Sequence, residues 1–160
     1  MKLSMPLMYA GNPREAADQV GRLEKAGLDV VWVAEAYSFD AVSVMGYLAA
    51  RTERLEIGAG ILPLYSRTPT LMAMTAAGLD ALSGGRAILG IGASGPQVIE
   101  GFHGVPYDRP VARTREIIEI CRKVWRRERL EHTGIYTVPL PPDSASRPAA
   151  VIAMSVGVRL

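Results

Sequence analysis

The stretch Gly90-Ile91-Gly92-Ala93-Ser94-Gly95 is where residue types and spacing in this chain point most directly to chemistry. It closes an apolar run, Ala87 to Gly92, that reads as a strand. It also satisfies G-x-G-x-x-G, the spacing by which glycines let backbone amides approach a pyrophosphate. In a dinucleotide-binding unit the third glycine lies in a helix, and an acid follows at the end of the next strand, about 20 residues on. Here Pro96 follows at once, Gly101 and Gly104 interrupt the segment, and Asp108 lies in a loop beside Pro110. Three readings stay open. Gly92, Ala93, Ser94 and Gly95, with Pro96 and Gln97 opening a short helix, form an anion cradle at the C-terminal end of a strand. Alternatively they belong to a Rossmann NAD(P) site, or they are a tight loop with no ligand.

The other reactive residue types are sparse. One cysteine, Cys121, and two histidines, His103 and His132, exclude an internal disulfide and a Cys/His zinc cluster, so no metal site is expected. Cys121 falls on the inner face of a helical pattern and reads as core. His103 stands in Gly-Phe-His-Gly with no nearby acid or nucleophile, and His132 reads as exposed. Arg122, Lys123, Arg126 and Arg127 alternate with Glu116, Glu119 and Glu128, the pattern of a solvated helix face. With a net charge of only +2, no nucleic-acid partner is expected.

The elements that must carry these residues follow from composition and periodicity. Hydrophobic residues at 49% and charged residues at 21% are those of a globular chain with a real core. The longest apolar run, Ala149 to Val158, falls short of the roughly 20 residues of a membrane helix. The N-terminus has no apolar h-region, and a reducing, cytoplasmic setting fits. Leu3 to Met8 reads as a strand, and Asn12-Pro13-Arg14-Glu15 as a helix start, with Asn as cap, Pro in the first turn and Glu reaching back to the cap. Ala16, Ala17, Val20 and Leu23 share that helix's inner face, and Gly27 ends it.

Leu28 to Ala34 is apolar on both faces, as a buried parallel strand requires. A helix over about Asp40 to Ala50, a glycine-thinned strand from Leu55 to Leu62, and a helix from Thr68-Pro69 to Ser83 follow. After the strand at Ala87 to Gly92, Val111, Thr114, Ile117, Ile118, Cys121, Val124 and Trp125 mark a long amphipathic helix. Such regular alternation predicts an α/β fold with a parallel sheet. Residues 139–148 read as a loop or linker.

With these residues in place the chain resembles the luciferase-like flavin and deazaflavin oxidoreductases, especially the actinobacterial class that uses coenzyme F420. The resemblance rests on Val31-Trp32-Val33-Ala34-Glu35, on Ile57-Gly58-Ala59-Gly60-Ile61, on Leu79-Asp80-Ala81-Leu82-Ser83-Gly84-Gly85-Arg86, and on the run from Gly90 to Gly104. It covers residues 1 to about 141, and its most specific part is 79–104. It implies a TIM (β/α)8-type barrel with the flavin or deazaflavin over the C-terminal ends of the strands. It also implies a non-prolyl cis peptide at Gly60-Ile61 behind the central ring, and an acidic residue, Glu35, that contacts the ring or moves a proton. Family members often follow that acid with histidine, where this chain has Ala36.

A complete barrel typically takes about 250 residues, and this chain of 160 supplies only the first four βα units. The expectations are therefore the N-terminal half of a barrel domain over 1–141 and an atypical tail over 142–160, from a truncated gene product or a fragment that pairs with a second half. The expected function is hydride transfer between a small-molecule substrate and F420, with FMN as the alternative cofactor. Non-catalytic and Rossmann readings stand beside it: a half-barrel remnant or interaction module, and an NAD(P)-binding domain. The exposed sheet edges predict a homo-oligomer or a complementing half-barrel. A barrel further predicts that the four strands neighbour one another in sequence order, where a doubly wound sheet would reverse.

Overall fold

The computed structural model describes residues 1–8 and 11–140, so the segment read as linker and tail over 142–160 lies outside the described residues. In chain order the elements are β1 (Ser4–Pro6), α1 (Pro13–Lys25), β2 (Val30–Val33), α2 (Ala41–Arg51), β3 (Glu56–Ala59) and β4 (Leu62–Pro63). Then come α3 (Pro69–Ser83), β5 (Ala87–Ile88), β6 (Ile91–Gly92), α4 (Pro96–Ile99) and α5 (Pro110–Trp125).

Local chemistry sets the helix ends. The Asn12 side chain accepts from the Arg14 amide with Pro13 in the first turn of α1, Asp40 accepts from Ser43 to start α2, and Thr68 accepts from Leu71 to start α3. Glu15 does not reach back to the cap's backbone; it accepts from the Asn12 side-chain amide at 2.9 Å. Gly84 ends α3 in the left-handed conformation, at φ 66°.

Strands β1, β2, β3 and β5 form one parallel sheet in that order. The order follows the sequence without reversal, as successive right-handed βα units in a barrel require, and this corrects the doubly wound Rossmann alternative. The third and fourth expected strands are each broken. β4 and β6 form a separate parallel pair, Leu62 opposite Ile91 and Pro63 opposite Gly92. The break in the third strand falls at the Gly60-Ile61 bond, which is cis, as the resemblance implied. At Gly90 a Cβ would collide with the Ala59 carbonyl oxygen, so only glycine lets the two broken strands close on each other.

The core is formed by the sheet and helices α1, α2, α3 and α5; Met45, Leu48, Ile57, Leu62, Met72 and Ile117 are fully enclosed. Cys121 is buried there as expected, and burial pushes its thiol up to about 11. Val111, placed on the inner face of α5 by its spacing, is exposed, since α5 opens only at Pro110, after Arg109 in left-handed backbone. His132 is not exposed either: its Nε2 lies 3.0 Å from Glu116, whose carboxylate also accepts from the amides of Ile135 and Tyr136. Glu116 thus belongs to an anchor for residues 132–138 and not to a solvated face.

Two charged side chains close the opposite end of the sheet from its C-terminal tips. The Arg86 guanidinium donates to the carbonyls of Ser83, Leu55, Ala49 and Thr52 and to the Thr52 hydroxyl, at 2.7 to 3.0 Å. Glu24 accepts from the amides of Glu53, Arg54 and Leu55. Partial burial pushes the Glu24 carboxyl up, but those amides and the Arg86 charge outweigh it and hold it below the usual glutamate range. A depressed folded-state value adds stability above the unfolded value of about 4.3 and loses it as pH falls through the folded one. Glu24→Gln is therefore expected to lower stability by about 1 to 2 kcal/mol at pH 7 and by much less at pH 3. Urea unfolding at the two pH values measures it; an equal loss at both would show that the charge plays no part.

Candidate functional site

Because the sheet is parallel, the segments after β2, between β3 and β4, and after β6 all emerge at one end of it. Glu35 lies two residues past β2, Gly60-Ile61 lies between β3 and β4, and Ala93, Ser94, Gly95, Pro96 and Gln97 follow β6. The structure brings the second and third of these together. A Cβ on Gly92 would stand 3.4 Å from the Ile61 side chain, so Ile61 covers that glycine. Gly92 through Gly95 are half-buried, as is Ile61, whereas Gly60, Pro96 and Gln97 are exposed. Ser94 holds φ 58°, a left-handed conformation rare outside glycine, and turns the backbone between Gly92 and the α4 start. Helix α4 has four residues, so the helix-dipole help expected at its start is slight.

Glu35 sits apart from that loop in an ion-pair network. Its two oxygens accept from Arg67 at 2.6 and 2.9 Å, and one also caps α2 by accepting from the Ala41 amide at 2.8 Å. Arg67 bonds Asp40 as well, at 2.9 Å. The Glu35 and Arg67 side chains are only 10% and 9% exposed, which makes the pair a fixed, desolvated clamp between two loops. Burial opposes the Arg67 charge, but the hydrogen bonds and charge of Glu35, then Asp40, raise its pKa above the ordinary arginine value. A carboxylate with both oxygens held by a cation and an amide is a good anchor for the loop that carries it.

Above the clamp is a cavity of about 490 Å³ whose walls include Phe39, Leu71, Phe102 and His103. His103 Nε2 is enclosed there with no hydrogen-bond partner. Tyr37 packs edge-on against Phe102 at 5.5 Å. Arg67 was not singled out in the sequence, because Arg67-Thr68-Pro69 reads only as a helix start and its partner lies 32 residues away. Tyr65 and Tyr107, stacked at 5.2 Å between β4 and the 92–97 loop, left no sequence signal either.

No described helix is long and apolar enough to cross a membrane. The chain is 48% identical over 130 residues to a Mycobacterium tuberculosis protein whose name marks it as a candidate coenzyme F420-dependent oxidoreductase; the match covers 80% of this chain and 38% of that one. Among solved structures, the coenzyme F420-dependent tetrahydromethanopterin reductase of Methanopyrus kandleri superposes with a TM-score of 0.76 at 25% identity, over 85% of this chain and 43% of its own. The fold is shared too with the FMN-bound oxygenating component of 3,6-diketocamphane monooxygenase of Pseudomonas putida, at a TM-score of 0.73 and 21% identity over 85% and 43% of the two chains. The chain thus spans about two fifths of the length of these relatives. The luciferase-like monooxygenase model matches residues 1–158, and with the strand order and the broken third and fourth strands in view, the chain belongs to the luciferase-like monooxygenase family.

Proposed function

We propose that this chain supplies the cofactor-holding part of a cytoplasmic F420-dependent oxidoreductase, with FMN as the alternative cofactor. The observation that carries the reading is the meeting of the cis Gly60-Ile61 bulge with the loop that runs from Gly92 through left-handed Ser94. A deazaflavin has a flat ring and a phosphate-bearing tail, and the two segments offer what those need. Gly60 and Ile61 present a backbone surface for the ring, and the amides of Ala93, Ser94, Gly95 and Gln97 are available to the phosphate without side chains in the way. When bound, F420 exchanges a hydride with a small-molecule substrate.

The chain's own residues bind and orient. Ile61 shields one side of the bulge, and Glu35, named by the resemblance as a catalytic acid, acts as the anchor that sets the β2–α2 loop. Strands β1 and β5 end the sheet with open edges, and these are covered by a second copy of the chain or by a complementing barrel half.

Titration of the purified chain with F420, FMN and NADPH tests the proposal. F420 is expected to bind best, and Gly92→Val to weaken it about tenfold, a difference of ~1.4 kcal/mol, because the added side chain must displace Ile61. Sedimentation of the same sample should show an assembly larger than a monomer. Preference for NADPH, or indifference to Gly92→Val, would overturn the reading.

A further inference from the structure

We infer that Tyr107 is a positioning residue for the cofactor loop: its phenol holds the Ser94 backbone in the left-handed conformation that shapes the cradle. The inference rests on the reading of residues 92–97 as that cradle. Ser94 carries a Cβ, so at φ 58° its backbone is in a conformation that L side chains resist. Something outside the loop must favour it, and no glycine does so, since Gly95 follows at φ −119°.

The Tyr107 hydroxyl donates to the Ser94 carbonyl at 3.3 Å. That oxygen is the atom a free serine would swing away on returning to right-handed backbone. The donor is itself held from two sides. Its amide donates to Glu100 at 2.9 Å. Its ring stacks on Tyr65 at 5.2 Å with 28° between the planes. Tyr65 in turn donates to the Asp108 carbonyl at 2.7 Å and lies 5.1 Å beneath the Arg113 guanidinium. Tyr65 stands two residues beyond β4, the strand that leaves the cis bulge. The stack therefore spans from the strand behind the ring surface to the loop proposed for the phosphate, and Tyr107 is its last member. Plain packing would need the two rings but would have no use for the second hydroxyl.

Tyr107→Phe keeps the ring and removes the donor. In the ligand-free chain, amide hydrogen exchange at Val98 and Ile99, whose N–H groups donate to the Gly95 carbonyl just past Ser94, is expected to quicken about fivefold, the equivalent of one ordinary hydrogen bond, while β2 and β3 stay unchanged. F420 affinity should fall by a similar factor. In a Ser94→Gly background, where the left-handed backbone has no steric cost, the same substitution should change affinity less than about twofold. Equal losses in both backgrounds, or no change in exchange at Val98 and Ile99, would overturn the role of Tyr107. Gly92→Val serves as the control: if it weakens F420 while Tyr107→Phe does not, the cradle stands and this inference falls. If neither variant matters, the cradle reading itself is what failed.

Discussion

Arg86→Met is expected to lower the unfolding free energy by about 3 to 5 kcal/mol. The methylene stem fits where arginine was, but all five guanidinium donors are spent on acceptors from three elements: Ala49 and Thr52 at the end of α2, Leu55 before β3, and Ser83 at the end of α3. Methionine leaves those oxygens facing a thioether in a half-buried place where water has poor access. Carbonyls in the last turn of a helix have no partner within it, so the guanidinium is their cap. Arg86→Lys should be nearly as damaging, since one ammonium cannot reach acceptors spread in a fork around it. Against a typical total of 5 to 15 kcal/mol, such a loss removes a fifth or more of the stability. Chemical unfolding followed by circular dichroism measures it, and a change below about 0.5 kcal/mol would show the network to be inert.

The second large effect is expected at Glu35. Glu35→Ala leaves Arg67 buried with Asp40 as its only carboxylate and leaves the Ala41 amide uncapped, at a cost of about 3 kcal/mol. Glu35→Gln keeps one acceptor for the amide but loses the charge, so about half that cost is expected. In both variants the loss of stability should travel with weaker F420 binding, because the β2–α2 loop loses its anchor. A Glu35→Gln protein of unchanged stability and affinity that no longer turns over would show that the carboxylate moves a proton after all.

The parts of the fold legible in the sequence were those written in local chemistry. The caps at Asn12 and Thr68, the stop at Gly84 and the twin apolar faces of Val30–Val33 each state their element within a few residues. The site was legible only where small residues mark it, at Gly60 and from Gly92 to Gly95, because a backbone that must approach another group has to drop its side chains. The bulge in the third strand was marked by its glycines, but the break in the fourth was not legible: its apolar run continues through Gly90, and only the collision awaiting a Cβ there tells where pairing stops. Long-range polar partners were the blind spot. Nothing near Glu35 announces Arg67, nothing near Glu116 announces His132, and a tyrosine in Val105-Pro106-Tyr107 looks like any loop aromatic.

The order of the sheet has a consequence for the birth of the molecule. Ser4 pairs with Val30, Val30 with Glu56, and Ile57 with Ala87, so every strand finds its neighbour one βα unit further along the chain. Every pairing within this sheet joins strands of successive βα units. Emerging from the ribosome, β1 can pair as soon as β2 is free, β2 as soon as β3 is, and each crossover helix has its surface to cover by the time it forms. The Arg86 side chain arrives last among these and bridges helices already laid down, so it fastens an order of assembly that the chain direction has chosen.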